Sequence, residues 1–176
     1  MKIYLVGGKA RSGKDTISDF MQEEIEKSGK KVCRLQVSSY IKYYAQKYFG
    51  WDGSEETKPR ELLIELGTDI IRNKIDENFH INRLIEDIKI LSYFFDSFIV
   101  SDIRFPIEIE KVKEKYDNVT TIKMIRESNE LTEEQKKNRT ETALDSYDDF
   151  DYVIINDKSL EDLKQRAIEL VKEIGD

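Results

Sequence analysis

The sequence Gly8-Lys9-Ala10-Arg11-Ser12-Gly13-Lys14-Asp15-Thr16 directly follows an apolar run, Ile3–Val6, and directly precedes a stretch with helical spacing. A strand, a glycine-containing loop and a helix in this order are typical of a phosphate-binding loop, or P-loop. Glycine at Gly8 and Gly13 allows a tight turn whose N–H groups surround phosphate oxygens at the positive end of the helix. Lys14 is long enough to reach the β- and γ-phosphates. The segment predicts binding of a nucleoside triphosphate; the alternative is a purely structural glycine turn.

Asp15 occupies the position where this motif usually has a hydroxyl residue. The dipole of the helix favours a carboxylate at its N-terminus, but a triphosphate beside that carboxylate repels it unless a cation lies between them. We therefore interpret Asp15 as a ligand of Mg²⁺ or of a Mg²⁺-bound water, with Thr16 bonded to an inner phosphate. The alternative is that Asp15 only caps the helix.

Composition limits the classes of function. The 176 residues fit one domain with a substantial core, and we expect a single domain over 1–176. The net charge is −7 and the sequence has no long basic run, which argues against a nucleic acid polymer as partner. No segment resembles a signal peptide or a membrane span, so we expect a cytoplasmic protein without a membrane partner. The single cysteine, Cys33, and the single histidine, His80, are interpreted as a buried apolar residue and as a surface or pocket-wall residue.

Five runs of apolar or β-branched residues predict strands: Lys2–Val6, Lys31–Val37, Ser97–Val100, Thr120–Ile125 and Tyr152–Ile155. Helical patterns separate these runs. Alternation of this kind predicts an α/β fold in three layers, with a five-stranded parallel sheet between helices on both faces. Ligands then bind at the carboxyl ends of the strands.

Residues 38–95 form a helical segment that is a candidate acceptor-binding region. Gly67 interrupts one of its helices at a cost of about 1 kcal/mol relative to alanine, which suggests close approach of a ligand or of another backbone. Arg60 and Arg72 lie near the ends of this helix and could hold the phosphate of an acceptor. The alternative is that both form salt bridges on a solvated helix.

Residues 126–142 are polar and join two predicted strands, with a small helix indicated by Thr132 and Gln135. Such a segment resembles a lid that excludes water and brings cations to a phosphate site. Arg126 and Arg139 flank it and are the candidate cations. A solvated surface loop is the alternative.

The run Phe98–Asp102 predicts an apolar strand that ends in a carboxylate, where a second acidic group near Mg²⁺ belongs in a P-loop enzyme. Asp102 is therefore a candidate metal ligand. Arg104 follows at the rim of the same crevice and could either bind phosphate as a planar fork or pair with Asp102.

Together these segments resemble the phage-type deoxynucleoside monophosphate kinases. The matching segments cover nearly the whole chain in the correct order: 8–16, Leu66–Arg72, Val100–Glu108, Thr140–Glu141 and Asp151–Asn156. The resemblance implies the P-loop kinase fold, ATP with Mg²⁺ as donor and a (deoxy)nucleotide as acceptor, with Lys14, Arg72, Asp102 and Arg104 in the site. Two positions depart from the family pattern: Ile107 replaces a frequent asparagine, and Asn138 replaces a histidine that precedes the equivalent of Glu141.

A second, smaller resemblance links the loop, Val100–Arg104 and Asp149–Ile154 to the animal-type phosphomevalonate kinases. The segments Leu66–Asp69 and Arg104–Pro106 favour the nucleotide acceptor over phosphomevalonate. A third reading is a nucleotide-binding switch without acceptor chemistry, although the number of arginines exceeds what one bound nucleotide needs.

The kinase reading implies a mechanism based on alignment and charge. The phosphate of an acceptor is already a competent nucleophile, so no general base is required. Lys14 would neutralise the β- and γ-phosphate oxygens, and Asp15 and Asp102 would hold Mg²⁺ or its waters. Arg72 would orient the acceptor, and Arg126 would arrive when the lid closes. A monomer and a homodimer are both compatible with the sequence.

Overall fold

The computed structural model describes residues 1–127 and 139–175. A parallel sheet of five strands runs through its centre in the order β2-β3-β1-β4-β5. The strands are β1 Lys2–Gly8, β2 Val32–Leu35, β3 Ser97–Ile103, β4 Val119–Ile125 and β5 Tyr152–Ile155. Each coincides with or overlaps a predicted run, so the predicted α/β sheet is confirmed.

Helices connect the strands. They are α1 Lys14–Glu26, α2 Ser39–Phe49, α3 Arg60–Ile64, a π-helix Glu65–Ile75, α4 Phe79–Leu91, α5 Pro106–Lys113, a short helix Arg139–Thr142 and a C-terminal helix Leu160–Ile174. The C-terminal helix begins at a capping box in which Ser159 and Asp162 bond reciprocally. Within residues 1–127 and 139–175, no helix is long and apolar enough to cross a membrane.

Two apolar clusters cover the two faces of the sheet. One contains Tyr4 and Val6 of β1 together with buried residues of α1 and the C-terminal helix. The other contains Ile3 and Leu5 together with buried residues of α4 and α5. Burial on both faces explains why these parallel strands are continuous apolar runs rather than alternating ones. The three-layer architecture is therefore confirmed.

β1 and β3 extend past the carboxyl ends of their predicted runs, and the extra residues carry the site. β1 continues to Gly8, the first residue of the phosphate loop. β3 continues to Ile103, so that Ser101 and Asp102 lie among the last residues of the strand. Because β1 and β3 are neighbours, the loop and these two polar residues meet at the same edge of the sheet.

The π-helix is the main departure from the predicted helical pattern. Its wider turn places Gly67, Thr68 and Arg72 on a common surface, and π-helical segments are frequent at functional sites. A Cβ added at Gly67 would lie 2.6 Å from Cδ1 of Ile41 on α2. The close approach that this glycine suggested is thus made by the side chain of another helix.

Candidate active site

A cavity of about 540 Å³ opens at the carboxyl edge of β1 and β3. The phosphate loop, the turn between β2 and α2, the helices α3 and π, and the segments Ser101–Glu108 and Thr140–Glu141 line it. The predicted site residues that the structure brings into its wall are Ala10, Arg11, Lys14, Asp15, Arg60, Arg72, Asp102 and Arg104. This volume is within the range of small-molecule and cofactor sites.

The phosphate loop has the backbone that a glycine-containing cradle requires. Gly8 and Gly13 have φ angles of 140° and 95°, in the region that favours glycine. A Cβ at Gly8 would collide with the carbonyl oxygen of Met124, and a Cβ at Gly13 would collide with the amide of Asn156. No residue other than glycine fits either position without displacing these neighbours.

Asn156 holds the loop from the end of β5. Its side-chain amide donates to the carbonyl of Ser12 at 3.0 Å, and its backbone N–H donates to the carbonyl of Ile125 at 2.7 Å. In the sequence, Asn156 belongs to a segment that resembles the family, but no role in the site is predicted for it. The sequence did contain a signal for this residue: an asparagine directly follows a predicted strand, at the edge of the sheet where ligands bind.

Lys14 is buried and lies within reach of several charges. Its ammonium donates to the carbonyl of Lys9 at 2.6 Å. Burial lowers the pKa of Lys14 from 10.5 to about 7, with a further contribution from the positive charge of Arg104, although the carboxylates of Glu141, Asp15 and Asp102 act in the opposite direction. An anion bound in the loop would favour the charged form of this lysine.

Asp15 faces the cavity from the first turn of α1. Its Oδ1 accepts a hydrogen bond from the hydroxyl of Ser101 at 2.8 Å, and its side chain is 70 % exposed. A guanidinium nitrogen of Arg34 lies 3.8 Å from the same oxygen. The carboxylate is therefore positioned by β3 yet remains accessible from the cavity.

Asp102 fixes the turn between β2 and α2. Its carboxylate accepts the backbone N–H of Val37 at 2.7 Å, the backbone N–H of Ser38 at 3.1 Å and the hydroxyl of Ser38 at 2.5 Å. From the sequence, Asp102 is predicted as a metal ligand, with a pair to Arg104 as the alternative. Asp102 thus has a structural task that the sequence analysis did not predict.

Arg104 and Glu141 form a link across the phosphate loop. A guanidinium nitrogen of Arg104 donates to the carbonyl of Gly8 at 3.1 Å and to Oε1 of Glu141 at 3.0 Å. The other oxygen of Glu141 accepts the backbone N–H of Ala10 at 2.6 Å. The acidic partner of Arg104 is therefore Glu141 and not Asp102, the partner considered as an alternative to phosphate binding.

Arg72 is buried and paired with Glu108. Their side chains are 6 % and 2 % exposed, and the guanidinium donates to Oε1 of Glu108 at 2.8 Å. It also donates to the carbonyl of Glu77 at 3.2 Å and lies 4.0 Å from the centre of the Phe105 ring. The solvated salt bridge considered as an alternative does not apply to Arg72. It does apply to Arg60, which is half exposed and pairs with Glu55 at 2.6 Å.

Glu108 is a site residue that the sequence analysis did not assign. Besides pairing with Arg72, its second oxygen accepts the backbone N–H groups of Arg104 and Phe105 at 2.8 and 3.1 Å. Burial raises the pKa of Glu108, and these two N–H groups and the charge of Arg72 act in the opposite direction. One carboxylate therefore positions both Arg72 and the turn that carries Arg104.

The predicted lid is described only at its two ends. Arg126 is exposed and does not line the cavity. Arg139 lies in a short helix, with its guanidinium carbon 5.7 Å from the centre of the Phe105 ring. The lid residues 128–138, including Thr132, Gln135 and Asn138, lie outside the described residues.

The interpretations of His80 and Cys33 from the sequence have different outcomes. His80 is 2 % exposed and lines the cavity, so the pocket-wall interpretation is confirmed. Cys33 is half-buried on β2 instead of fully buried, and burial raises the pKa of its thiol.

The sequence matches the family model for deoxynucleotide monophosphate kinase over residues 27–167. This range includes Arg72, Asp102 and Arg104 but not the phosphate loop. No curated protein matches the sequence.

Solved structures match the fold over almost the whole chain. A sugar kinase from Janibacter sp. HTCC2649 has 14 % identity and a TM-score of 0.57, with coverage of 99 % of this chain and 96 % of that one. The shikimate kinase from Aquifex aeolicus and the dephospho-CoA kinase from Campylobacter jejuni each have 18 % identity and a TM-score of 0.53, with coverage of 98 % and 97 %. At these identities the structures establish the P-loop kinase fold and nothing about the substrate.

The buried pair of Arg72 and Glu108 gives a test of stability. Glu108→Ala should lower the free energy of unfolding by roughly 3–5 kcal/mol, because it leaves a buried guanidinium without its counter-charge. Arg60→Ala removes the exposed ion pair with Glu55 and should cost about 1 kcal/mol or less. Urea denaturation measures both. A loss for Glu108→Ala no larger than that for Arg60→Ala would contradict this account of the pair.

Proposed function

The chain belongs to the deoxynucleotide monophosphate kinase family, and on this premise we propose that it transfers the γ-phosphoryl group of ATP to the 5′-phosphate of a deoxynucleoside monophosphate, with Mg²⁺ as cofactor. The observation that carries the proposal is one cavity with two cationic regions. The phosphate loop with Lys14 lies in one wall, and the buried guanidinium of Arg72 lies in another. A donor and an acceptor phosphate both require such a region.

On the donor side, the loop supplies backbone N–H groups and Lys14 supplies a charge. The loop is held by Asn156 and by the link between Arg104 and Glu141, all of them groups of the protein itself. A cradle formed in advance needs no rearrangement when charge develops on the transferred group. Lys14 is buried, where its interaction with phosphate oxygens is stronger than in water.

On the acceptor side, we propose that Arg72 binds the 5′-phosphate. Glu108, Glu77 and the ring of Phe105 already fix the guanidinium, so little side-chain freedom is lost on binding. The bound phosphate is itself the nucleophile, and its alignment with the γ-phosphate replaces general-base catalysis. Arg104 lines the same cavity, and we propose that it stabilises charge on the transferred group.

The residues present fit a Mg²⁺ ion. Among the described residues, no group of three or more His, Cys, Asp or Glu side chains is placed to hold a metal. Mg²⁺ typically uses one or two carboxylates together with substrate phosphates, so this finding agrees with the proposal. Asp15 would hold the ion or its waters from its exposed carboxylate, and Asp102 would contribute from β3. The ion would neutralise charge on the triphosphate.

The predicted lid and the cellular location complete the proposal. We propose that residues 126–142 close over bound substrates and that Arg126 then reaches the phosphates. The proposed substrates are soluble nucleotides. We propose that the protein acts on them in the cytoplasm, as a monomer or a homodimer.

A coupled assay of ADP release tests the function directly. The panel contains the four common deoxynucleoside monophosphates and phosphomevalonate, each with ATP and Mg²⁺. At least one deoxynucleotide should raise ADP release well above the background with ATP alone, and phosphomevalonate should not. Stimulation by phosphomevalonate alone would overturn the nucleotide proposal. Release that no acceptor stimulates would favour a nucleotide-binding switch.

The low pKa of Lys14 predicts a pH dependence of ATP binding. With a pKa of about 7, Lys14 of the free protein is mostly neutral at pH 8, and bound phosphates should return it to the charged form. ATP binding should therefore take up a proton at pH 8, and the affinity should fall as the pH rises above 7. Calorimetric titrations in two buffers of different ionisation enthalpy measure the uptake. The prediction fails if Lys14→Met takes up as many protons as the wild type.

Arg72→Lys tests the acceptor role without removing the charge beside Glu108. Lysine retains the ion pair but lacks the planar fork, so kcat/KM for the acceptor should fall about 10- to 100-fold. The KM for ATP should change by less than about threefold if Arg72 contacts only the acceptor. Arg166→Lys, in an exposed ion pair on the C-terminal helix and outside the lining of the cavity, is the matched control and should change neither value. Equal effects of Arg72→Lys on both substrates would remove Arg72 from acceptor binding.

The two carboxylates proposed for Mg²⁺ should respond differently to amidation. Asp15→Asn should shift the Mg²⁺ titration of activity to higher concentration and leave the Tm nearly unchanged, because its carboxylate is exposed. Asp102→Asn should shift the titration and also lower the Tm, because its carboxylate holds the N–H groups of Val37 and Ser38. Asp19→Asn, exposed on the same helix as Asp15, is the control. An unchanged Mg²⁺ titration for either variant would make that residue purely structural.

A further inference from the structure

His80 is a buried ring in the wall of the cavity. It is the second residue of α4, is 2 % exposed, and lines the cavity together with Gly67, Thr68 and Arg72. Its Nε2 lies 3.2 Å from the carbonyl oxygen of Gly67. Because a carbonyl only accepts hydrogen bonds, Nε2 carries the proton and donates. The other ring nitrogen, Nδ1, is buried and has no hydrogen-bond partner in the described part of the chain.

The protonation state of the ring defines what Nδ1 can bind. Burial lowers the pKa of His80, and the nearby charge of Arg72 lowers it further, against the bond to Gly67 and the charge of Asp102. The imidazole is therefore neutral at physiological pH, and Nδ1 presents a lone pair. A buried acceptor without a partner is unfavourable, so it calls for an explanation in a native structure. Phosphate oxygens are acceptors themselves and do not satisfy it. An O–H or N–H donor does.

The proposed acceptor nucleotide carries such donors on its sugar and on its base. Arg72 and His80 line the same cavity, so an acceptor whose 5′-phosphate binds Arg72 can place its sugar or its base beside His80. We infer that His80 is a specificity-determining residue: its Nδ1 accepts a hydrogen bond from the acceptor nucleotide, either from the 3′-hydroxyl of the sugar or from an N–H of the base. This inference rests on the proposed function and adds a residue that recognises the nucleoside portion of the acceptor.

Three substitutions separate the two nitrogens of the ring. His80→Gln places an amide near the Nε2 position, where it can still donate to Gly67, and removes the acceptor at Nδ1. His80→Asn places an amide near Nδ1 and gives up the bond to Gly67. His80→Phe keeps the ring and removes both nitrogens. A residue that acts only through the bond to Gly67 would tolerate glutamine best, whereas a residue that binds the nucleoside would tolerate asparagine best.

The experiment begins with the wild type and the deoxynucleoside monophosphate that most strongly stimulates its ADP release, so that failure of the proposed function is seen before any variant is made. His80→Gln and His80→Phe should raise the acceptor KM by about 10-fold or more. His80→Asn should raise it less, and the KM for ATP should stay unchanged in all three. Melting temperatures record any structural loss. An acceptor KM for His80→Gln equal to that of the wild type would overturn the inference, as would a parallel rise in the KM for ATP.

The 2′,3′-dideoxynucleoside monophosphate of the same base identifies the donor. If the sugar hydroxyl donates, this analogue should bind the wild type about 10-fold more weakly than the deoxynucleotide, and His80→Gln should not weaken it further. If the base donates, His80→Gln should weaken both acceptors by the same factor. Either result supports the inference. It is contradicted if a substitution at His80 changes the KM for ATP as much as it changes the KM for both acceptors.

Discussion

The buried carboxylate of Glu108 is the constraint on which the site depends. It neutralises Arg72, and it accepts the N–H groups of Arg104 and Phe105 where the chain leaves β3 and enters α5. A carboxylate is stable in a buried position only when its oxygens are paired. Removing any one of these partners would leave Glu108 incompletely paired and would destabilise its contacts with the other partners. The carboxylate thereby fixes the distance between the π-helix and the edge of the sheet. Arg72 and Arg104, which both line the cavity, are therefore positioned by Glu108.

A second set of contacts connects this frame to the phosphate loop. Arg104 bonds to the carbonyl of Gly8 and to Glu141, and Glu141 bonds to the N–H of Ala10. The segment that follows the undescribed part of the lid is thus tied to the loop. The carboxylates of Glu141, Asp15 and Asp102 raise the pKa of the buried Lys14, but burial and the charge of Arg104 outweigh them and lower it to about 7. A bound polyanion would favour the charged form of this lysine.

Much of the architecture was predictable because local patterns determine it. Continuous apolar runs identify strands buried on both faces, and the glycine spacing at Gly8 and Gly13 identifies the loop. The contacts of Glu141 were not predictable, because its partner Ala10 is distant in the chain and no periodicity joins them. The π-helix was missed since its apolar spacing resembles that of an α-helix over a few turns. The structural role of Asp102 was missed because the sequence shows where a strand ends but not which backbone N–H groups lie opposite it.

The central claim is that the phosphate loop and the wall with Arg72 form one reaction chamber for two nucleotides. A bisubstrate analogue, in which adenosine and a deoxynucleoside are joined through five phosphates, tests this most directly by calorimetry and competition. The account predicts that one analogue binds per chain, more tightly than either nucleotide alone, and displaces ATP and the deoxynucleotide together. Binding of two analogues per chain, or displacement of ATP while the deoxynucleotide stays bound, would contradict it.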